Sequence, residues 1–425
     1  MNGGTGREGQ GDPESSYEYA VVGAGPAGVA AARFLARNAG PGKVVLLGNE
    51  NCVPYERPAL SKAALRPGGE AIPRICSDEE FKSIGVEFRR GHEVIRICRE
   101  ERWLQTTAGR IQYGTLLLAT GASPIRLDIP GGHLAQVFYL RQTADAEALR
   151  TALATRPRTV IVGGGFIGLE VAATARAIGC EVLVVTKGEF LMNRCLPAMM
   201  AQSVALMLQT RGIAFRFGVA PLAVEGISRV EALRLDTGEC IPADVLVIGI
   251  GATPNCGLAV AAGLEVDDGV VVDERWRTSD AHIFAAGDVA RRRLPNAHGV
   301  SRGVRLESWE PAEEHGELAA AAMLGITAEP PGVPWMWSDQ DDVNIQIAGH
   351  PDPAAPLVLR QATGEGSSIG VFLDDGRITG AITVNDGRSM PLLRRAIQEQ
   401  RQLDGGLLAD PGVELRQALG MRRRA

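Results

Sequence analysis

The chain has 425 residues, 45% of them hydrophobic and 22% charged, with a formal net charge of -6. That length holds two or three domains with ample buried core. The acidic balance argues against a dedicated nucleic-acid binder, and no apolar run reaches the roughly 18 residues of a membrane span. The stretch 1–16, Gly-rich and polar with no apolar h-region, is expected to be a flexible tail and not a secretory signal. Seven widely spaced cysteines give no CxxC motif and no disulfide framework, so a reducing cytoplasm is expected.

The first predicted unit opens at Tyr17. "YEYAVVGAG" reads as a buried parallel strand, "PAGVAAARFLARN" as the following helix and "KVVLLGNE", Lys43 to Glu50, as a second strand. This is a βαβ unit of the expected length. Gly23, Gly25 and Gly28 form its G-x-G-x-x-G loop. The first glycine permits the tight turn, the second lets a pyrophosphate reach the backbone, and the third lets helix and strand approach. Glu50, with Asn49 beside it, is the candidate acid for ribose hydroxyls. "GTLLLATGAS", Gly114 to Ser123, is a further strand ending in a Gly-Ala turn.

The pattern then restarts. "TVIVGGG", "FIGLEVAATARAIG" and "CEVLVVTK" repeat strand, helix and strand, with Gly163, Gly165 and Gly168 as the second loop. "DVLVIGIGATPN", Asp244 to Asn255, repeats the Gly-Ala exit. Where an acid should close the second strand stand Thr186 and Lys187. A hydroxyl and an ammonium can accept a 2′-phosphate that a carboxylate would repel, so NADPH is expected to serve at least as well as NADH. A solvated Lys187 after a strand fits the sequence equally well. Two loops imply one fixed and one diffusible dinucleotide, and FAD with a nicotinamide nucleotide is the natural pair for hydride transfer. "IFAAGDVA", Ile283 to Ala290, is a later strand ending at an acidic turn. Beyond Pro330, short alternating strands, an Asp375-Gly376 turn and the helix "SMPLLRRAIQEQR" suggest a small antiparallel α+β domain.

From Tyr17 onward the sequence resembles the FAD-dependent ferredoxin–NAD(P) reductases, the reductase components of ring-hydroxylating dioxygenases and bacterial haem-thiolate monooxygenases. The marks are "PYERPALSK", "LLLATGA", "YLRQTADA", "GGGFIGLE", "AAGDVA", "RLESW" and "WSDQ", in family order. The resemblance implies an α/β fold with two Rossmann-like, glutathione-reductase-like nucleotide domains and a small C-terminal α+β domain. The expected boundaries are 17–122 with 253–328 for FAD, 123–252 for NAD(P) and 329–425 for the C-terminal domain.

It further implies that Lys62 lies beside the flavin ring and that Glu170 faces Lys62 and the nicotinamide as the catalytic pair. FAD contacts are expected from the first loop with Pro26 and Ala27, from Asn49, Glu50, Arg57 and Val94, and from Ala119, Thr120 and Gly121. Arg141, Asp288 and Trp309 complete that set. NAD(P) contacts are expected from the second loop with Phe166 and Ile167, and from Thr186, Lys187, Ile250 and Gly251. The implied partner is an iron–sulfur ferredoxin. Arg291, Arg292, Arg293, Arg302 and Arg305 are a candidate docking face for that acidic carrier, and a solvated charge run fits them as well. No nucleic-acid or membrane partner and no metal are expected, and either a monomer or a homodimer is compatible. Two alternatives stay open: a single-cysteine NAD(P)H oxidase or coenzyme A disulfide reductase using Cys52, and a flavoprotein like apoptosis-inducing factor.

Overall fold

The structure is a computed structural model and describes residues 15–69, 71–294, 302–351, 355–362, 364 and 366–421. The tail expected over 1–16 lies outside the described residues up to position 14, and the first strand begins at Ser15, two residues before the expected start. Two compact units divide the chain.

The first unit comprises residues 1–55, 74–122 and 254–330. Its sheet runs Val86–Arg90, Val44–Gly48, Ser15–Val22, Gly109–Leu118, Trp103–Thr106 and Val94–Cys98, with Ile283–Ala285 also paired to Gly109–Leu118. The central strands are parallel, with Val21 opposite both Leu46 and Leu117. These three side chains are fully buried, which explains the unbroken apolar runs in the sequence: a parallel sheet is covered on both faces. Helix Pro26–Ala39 packs on helix Trp309–Met323 through small side chains. A Cβ added to Gly316 would lie 2.1 Å from the Ala27 carbonyl oxygen, so only glycine permits this approach.

The second unit comprises residues 56–73, 123–253 and 331–425. The segment 56–73, placed by sequence in the FAD domain, clusters here. A five-stranded parallel sheet runs Ile213–Phe217, Glu181–Thr186, Arg158–Val162, Val245–Ile248 and Val137–Tyr139. A second, antiparallel sheet runs Trp335–Gln340, Val343–Gly349, Arg377–Val384, Ser368–Asp374 and Leu357–Gln361, with helix Met390–Gln398 packed on it. The Asp375-Gly376 turn has both residues at positive φ, 45° and 75°, as a tight hairpin turn between right-twisted strands requires. Edge strand Trp335–Gln340 packs on helix Phe166–Ile178, so the C-terminal sheet supports the second glycine-loop helix. Among the described residues no helix is long and apolar enough to cross a membrane.

Candidate functional site: two glycine cradles and a buried carboxylate

The glycines of the two loops divide their work in the same way. Gly23 has φ 111°, and a Cβ there would lie 2.1 Å from the Ala119 carbonyl oxygen; one on Gly28 would lie 1.8 Å from that of Gly23. In the second unit, Gly163 has φ 117° with its Cβ position 2.2 Å from the Gly249 carbonyl oxygen, and Gly168 would meet that of Gly163 at 2.4 Å. These four are glycine because the chain itself fills the space. The middle glycines differ. A Cβ on Gly25 meets nothing within 4 Å, and one on Gly165 meets only the Gly249 oxygen at 4.0 Å. Both are N-caps of long helices with no side-chain cap, Pro26–Ala39 and Phe166–Ile178. Uncapped first-turn N–H groups behind an open glycine fit a dinucleotide pyrophosphate.

Around the first cradle, Asn49 is exposed, and the Glu50 carboxylate accepts a hydrogen bond from the Tyr55 hydroxyl at 2.6 Å. The turn at Gly287 and Asp288 sits against Ala27: a Cβ on Gly287 would lie 3.0 Å from the Ala27 Cβ. Ala119, Thr120 and Gly121 leave the central strand, and the Thr120 hydroxyl donates to the Asn255 carbonyl at 2.9 Å. Val94 is buried in the core of this unit. Trp309 opens its helix and is half-buried. Arg57 and Arg141 belong instead to the second unit, where the Arg57 guanidinium donates to the Arg141 carbonyl at 2.6 Å.

Around the second cradle, Phe166 is half-buried and Ile167 is exposed, an apolar side chain turned to solvent at the loop. Thr186 is half-buried, with its hydroxyl accepting from the Gly188 N–H at 3.3 Å, and Lys187 is exposed. Ile250 and Gly251 are half-buried, and the Arg194 guanidinium lies 3.6 Å from the Cβ position of Gly251. Arg194 had no mark in the sequence.

Lys62 and Glu170, more than a hundred residues apart, meet in this unit as an ion pair of 3.0 Å. Glu170 is only 6% exposed. A carboxylate so buried needs several donors, and it has them. Lys62 Nζ and the Ser338 hydroxyl, at 2.7 Å, reach Oε1, while the Ser61 hydroxyl reaches Oε2 at 2.5 Å. Sequence reasoning missed both serines, although each lies inside a motif it quoted, "ALSK" and "WSDQ".

The proposed docking arginines are largely engaged. Arg291 bonds the Asp267 carbonyl and lies within 4 Å of the Asp267 and Asp268 carboxylates. Arg293 pairs with Glu265, and Arg305 with Glu307 and Asp268. Arg292 stacks over Trp276 at 5.3 Å and is partly desolvated, which pushes its pKa down. The side chain of Arg302 lies outside the described residues, as do residues 295–301. Cys52 is half-buried, and none of the seven cysteines forms a disulfide. Among the described residues no cluster of His, Cys, Asp and Glu is arranged to hold a metal ion.

Comparison with known proteins agrees with this layout. The family model for pyridine nucleotide-disulphide oxidoreductases matches residues 17–316, and that for the reductase C-terminal domain matches 335–419. The chain is 37% identical over 406 residues to the anthranilate 1,2-dioxygenase system ferredoxin–NAD(+) reductase component of Burkholderia cepacia, covering 95% of this chain and 99% of that one. It is 35% identical to rhodocoxin reductase of Rhodococcus erythropolis, covering 95% and 94%. Among solved structures, the ferredoxin reductase for the CYP199A2 system from Rhodopseudomonas palustris superposes with a TM-score of 0.89 at 33% identity, covering 95% of this chain and 100% of that chain. The covalent putidaredoxin reductase–putidaredoxin complex gives 0.89 at 29% identity, covering 96% and 99%. With two glycine cradles, a reductase C-terminal domain and relatives of this kind along nearly its whole length, the chain belongs to the pyridine nucleotide-disulphide oxidoreductase family, among its FAD-dependent ferredoxin–NAD(P) reductases.

Proposed function

We propose that this protein is the reductase of an oxygenase system, taking a hydride from NAD(P)H and delivering single electrons to an iron–sulfur ferredoxin in the cytoplasm. The observation that carries the reading is the pair of open middle glycines, Gly25 and Gly165, each at the uncapped N-terminus of a long helix. Bound FAD supplies a two-electron hydride acceptor that can release electrons one at a time.

The residues divide the remaining work. The first-turn N–H groups behind Gly25 hold the FAD pyrophosphate, Glu50 takes ribose hydroxyls, and Asp288 takes the ribityl chain. The corresponding groups behind Gly165 hold the NAD(P) pyrophosphate, with Thr186 and Lys187 at the adenosine ribose. Ile167 gives the nucleotide an apolar surface that displaces water. Lys62 and Glu170 set the polarity where the nicotinamide reacts: the carboxylate holds the lysine head group in place at 3.0 Å, and its remaining N–H groups stay available as donors.

The ferredoxin docks on a surface that includes Arg291, Arg292, Arg293 and Arg305. Because Arg291, Arg293 and Arg305 already have acidic neighbours, their steering field is weak and local.

Anaerobic mixing with NADH or NADPH should bleach the flavin, and a two-iron ferredoxin should raise cytochrome c reduction above the ferredoxin-free rate. Bleaching without any ferredoxin dependence would leave a hydride acceptor but remove the electron-carrier role. Replacing Cys52 with Ser should leave both rates within about twofold, since a half-buried thiol outside a redox pair has no part in hydride transfer. Abolition of turnover by that change would favour the oxidase or disulfide-reductase reading.

A further inference from the structure

The reaction site as proposed uses Lys62 and Glu170, yet neither is held by the other alone. Both oxygens of the Glu170 carboxylate are occupied, Oε1 by Ser338 and Lys62 and Oε2 by Ser61. The two hydroxyl contacts, 2.7 and 2.5 Å, are within O–H···O hydrogen-bond length. Their donors come from separate parts of the unit. Ser61 is buried and pinned to the same helix as Glu170, because the Thr174 hydroxyl donates to the Ser61 carbonyl at 2.9 Å. Ser338 is fully buried in edge strand Trp335–Gln340 of the C-terminal sheet, opposite Ile345 of the next strand. Its neighbours Trp337 and Asp339 alternate to the other face, where Asp339 accepts from Asn344 at 2.7 Å. Lys62 is thus the charged group set against Glu170.

We propose that Ser61 and Ser338 are positioning residues that lock the Glu170 carboxylate, so that the C-terminal sheet completes the hydride-transfer site. The physical argument is one of donor supply. A carboxylate buried to this degree needs about three donors. If Lys62 had to supply them, its ammonium would be drawn in against Glu170. With two hydroxyls in place one N–H suffices, and the ammonium keeps its other donors; one of these lies 3.5 Å from the Pro58 carbonyl, at the limit of a hydrogen bond. Neither serine touches the nucleotide in this scheme. Each acts through the direction of the carboxylate, and small misplacements in such a site are costly in rate.

The inference rests on the reading of Glu170 as part of the hydride-transfer site, and the test separates the two. FAD-loaded protein is used throughout, with whichever reduced nucleotide bleaches the parent. The readouts are the bleaching rate constant at saturating nucleotide and the calorimetric Kd of the oxidised nucleotide. Ser338→Ala is expected to slow bleaching about tenfold with the Kd unchanged within about twofold. Made in a Glu170→Gln background, the same change should cost less than about twofold, because the group it positions is gone. A rate within twofold of the parent overturns the proposal. So does a loss that persists undiminished in the Glu170→Gln background, or a Kd that rises as far as the rate falls. If Ser338→Ala yields no folded flavoprotein, Ser61→Ala is judged by the same criteria, since it reaches the other oxygen from another segment. A parent that neither nucleotide bleaches overturns the functional reading itself.

Discussion

In both glycine loops the first and third glycines are demanded by the chain's own backbone, with Cβ positions 1.8 to 2.4 Å from carbonyl oxygens, while the middle glycine opens on empty space. The loops part company at the end of the second strand. In the first unit that end carries Glu50, held by the Tyr55 hydroxyl. In the second it carries Thr186, whose hydroxyl is turned to the Gly188 N–H, and then an exposed Lys187. The comparison separates fold from choice of ligand. The clash-limited glycines fix the strand–helix packing common to both units, whereas the strand ends, where the two loops differ, are the proposed readers of the ribose.

The sharpest way to break that comparison is to fill the open glycines. Gly25→Val should leave the apoprotein's thermal midpoint close to the parent's while weakening FAD retention on the order of 100-fold, through lost charge-assisted hydrogen bonds. Gly165→Val should keep the yellow colour and weaken NAD(P)H binding to a similar degree. By contrast, Gly28→Ala or Gly168→Ala should fail at folding, because the clash is with backbone. Equal loss of stability from all four changes would contradict the division of labour.

Next in size is Thr186→Glu. A carboxylate at this position repels a 2′-phosphate and accepts from a free 2′-hydroxyl, so kcat/KM should move toward NADH by about tenfold relative to NADPH. No change in the ratio would show that another group reads the ribose.

A third difference concerns what stands behind the first cradle. His315, beside the Gly316 that packs on Ala27, is buried with its ring 4.1 Å from Trp276 and its Nδ1 without a hydrogen-bond partner among the described residues. Burial, and secondarily the Arg292 charge, pushes its pKa down to about 3. The unfolded chain then takes up the proton first, so the neutral ring's contribution is complete above about pH 6.5 and is lost as the pH falls toward 3. Between pH 6.5, where the unfolded group is already half-protonated, and pH 5.5 the cost is about 1 kcal/mol, or about 1–3 °C in Tm. In His315→Phe this part of the acid slope should vanish, as paired melts at the two pH values would reveal.

The smallest effect is expected at the docking arginines. Arg293→Glu, facing Glu265 already, should change electron transfer to the ferredoxin by no more than about threefold, and less at high salt. A tenfold loss confined to ferredoxin would promote that face to a principal determinant.

Local chemistry explains what the sequence could reveal. Both glycine loops, their flanking strands and the Asp375-Gly376 turn depend on residues next to one another, and each is where the pattern puts it. The Lys62–Glu170 pair came through family resemblance, not spacing. What stayed hidden depends on distant partners. Ser338 meets Glu170 across 168 positions, and its strand carries little alternation to mark it. The charge run at Arg291–Arg293 looked free because the acids it pairs with stand 23 to 28 residues earlier. Segment 56–73 reads as a continuation of the first unit, yet it clusters with the second because Ser61 and Lys62 bond Glu170.

The most direct test is an anaerobic titration of the purified, yellow protein with NADH and with NADPH, followed at the flavin absorbance. Close to one FAD per chain, bleached by at least one nucleotide with nearly equimolar consumption, is the expected result. A colourless protein that takes up no FAD, or a flavin that neither nucleotide reduces, would contradict the account.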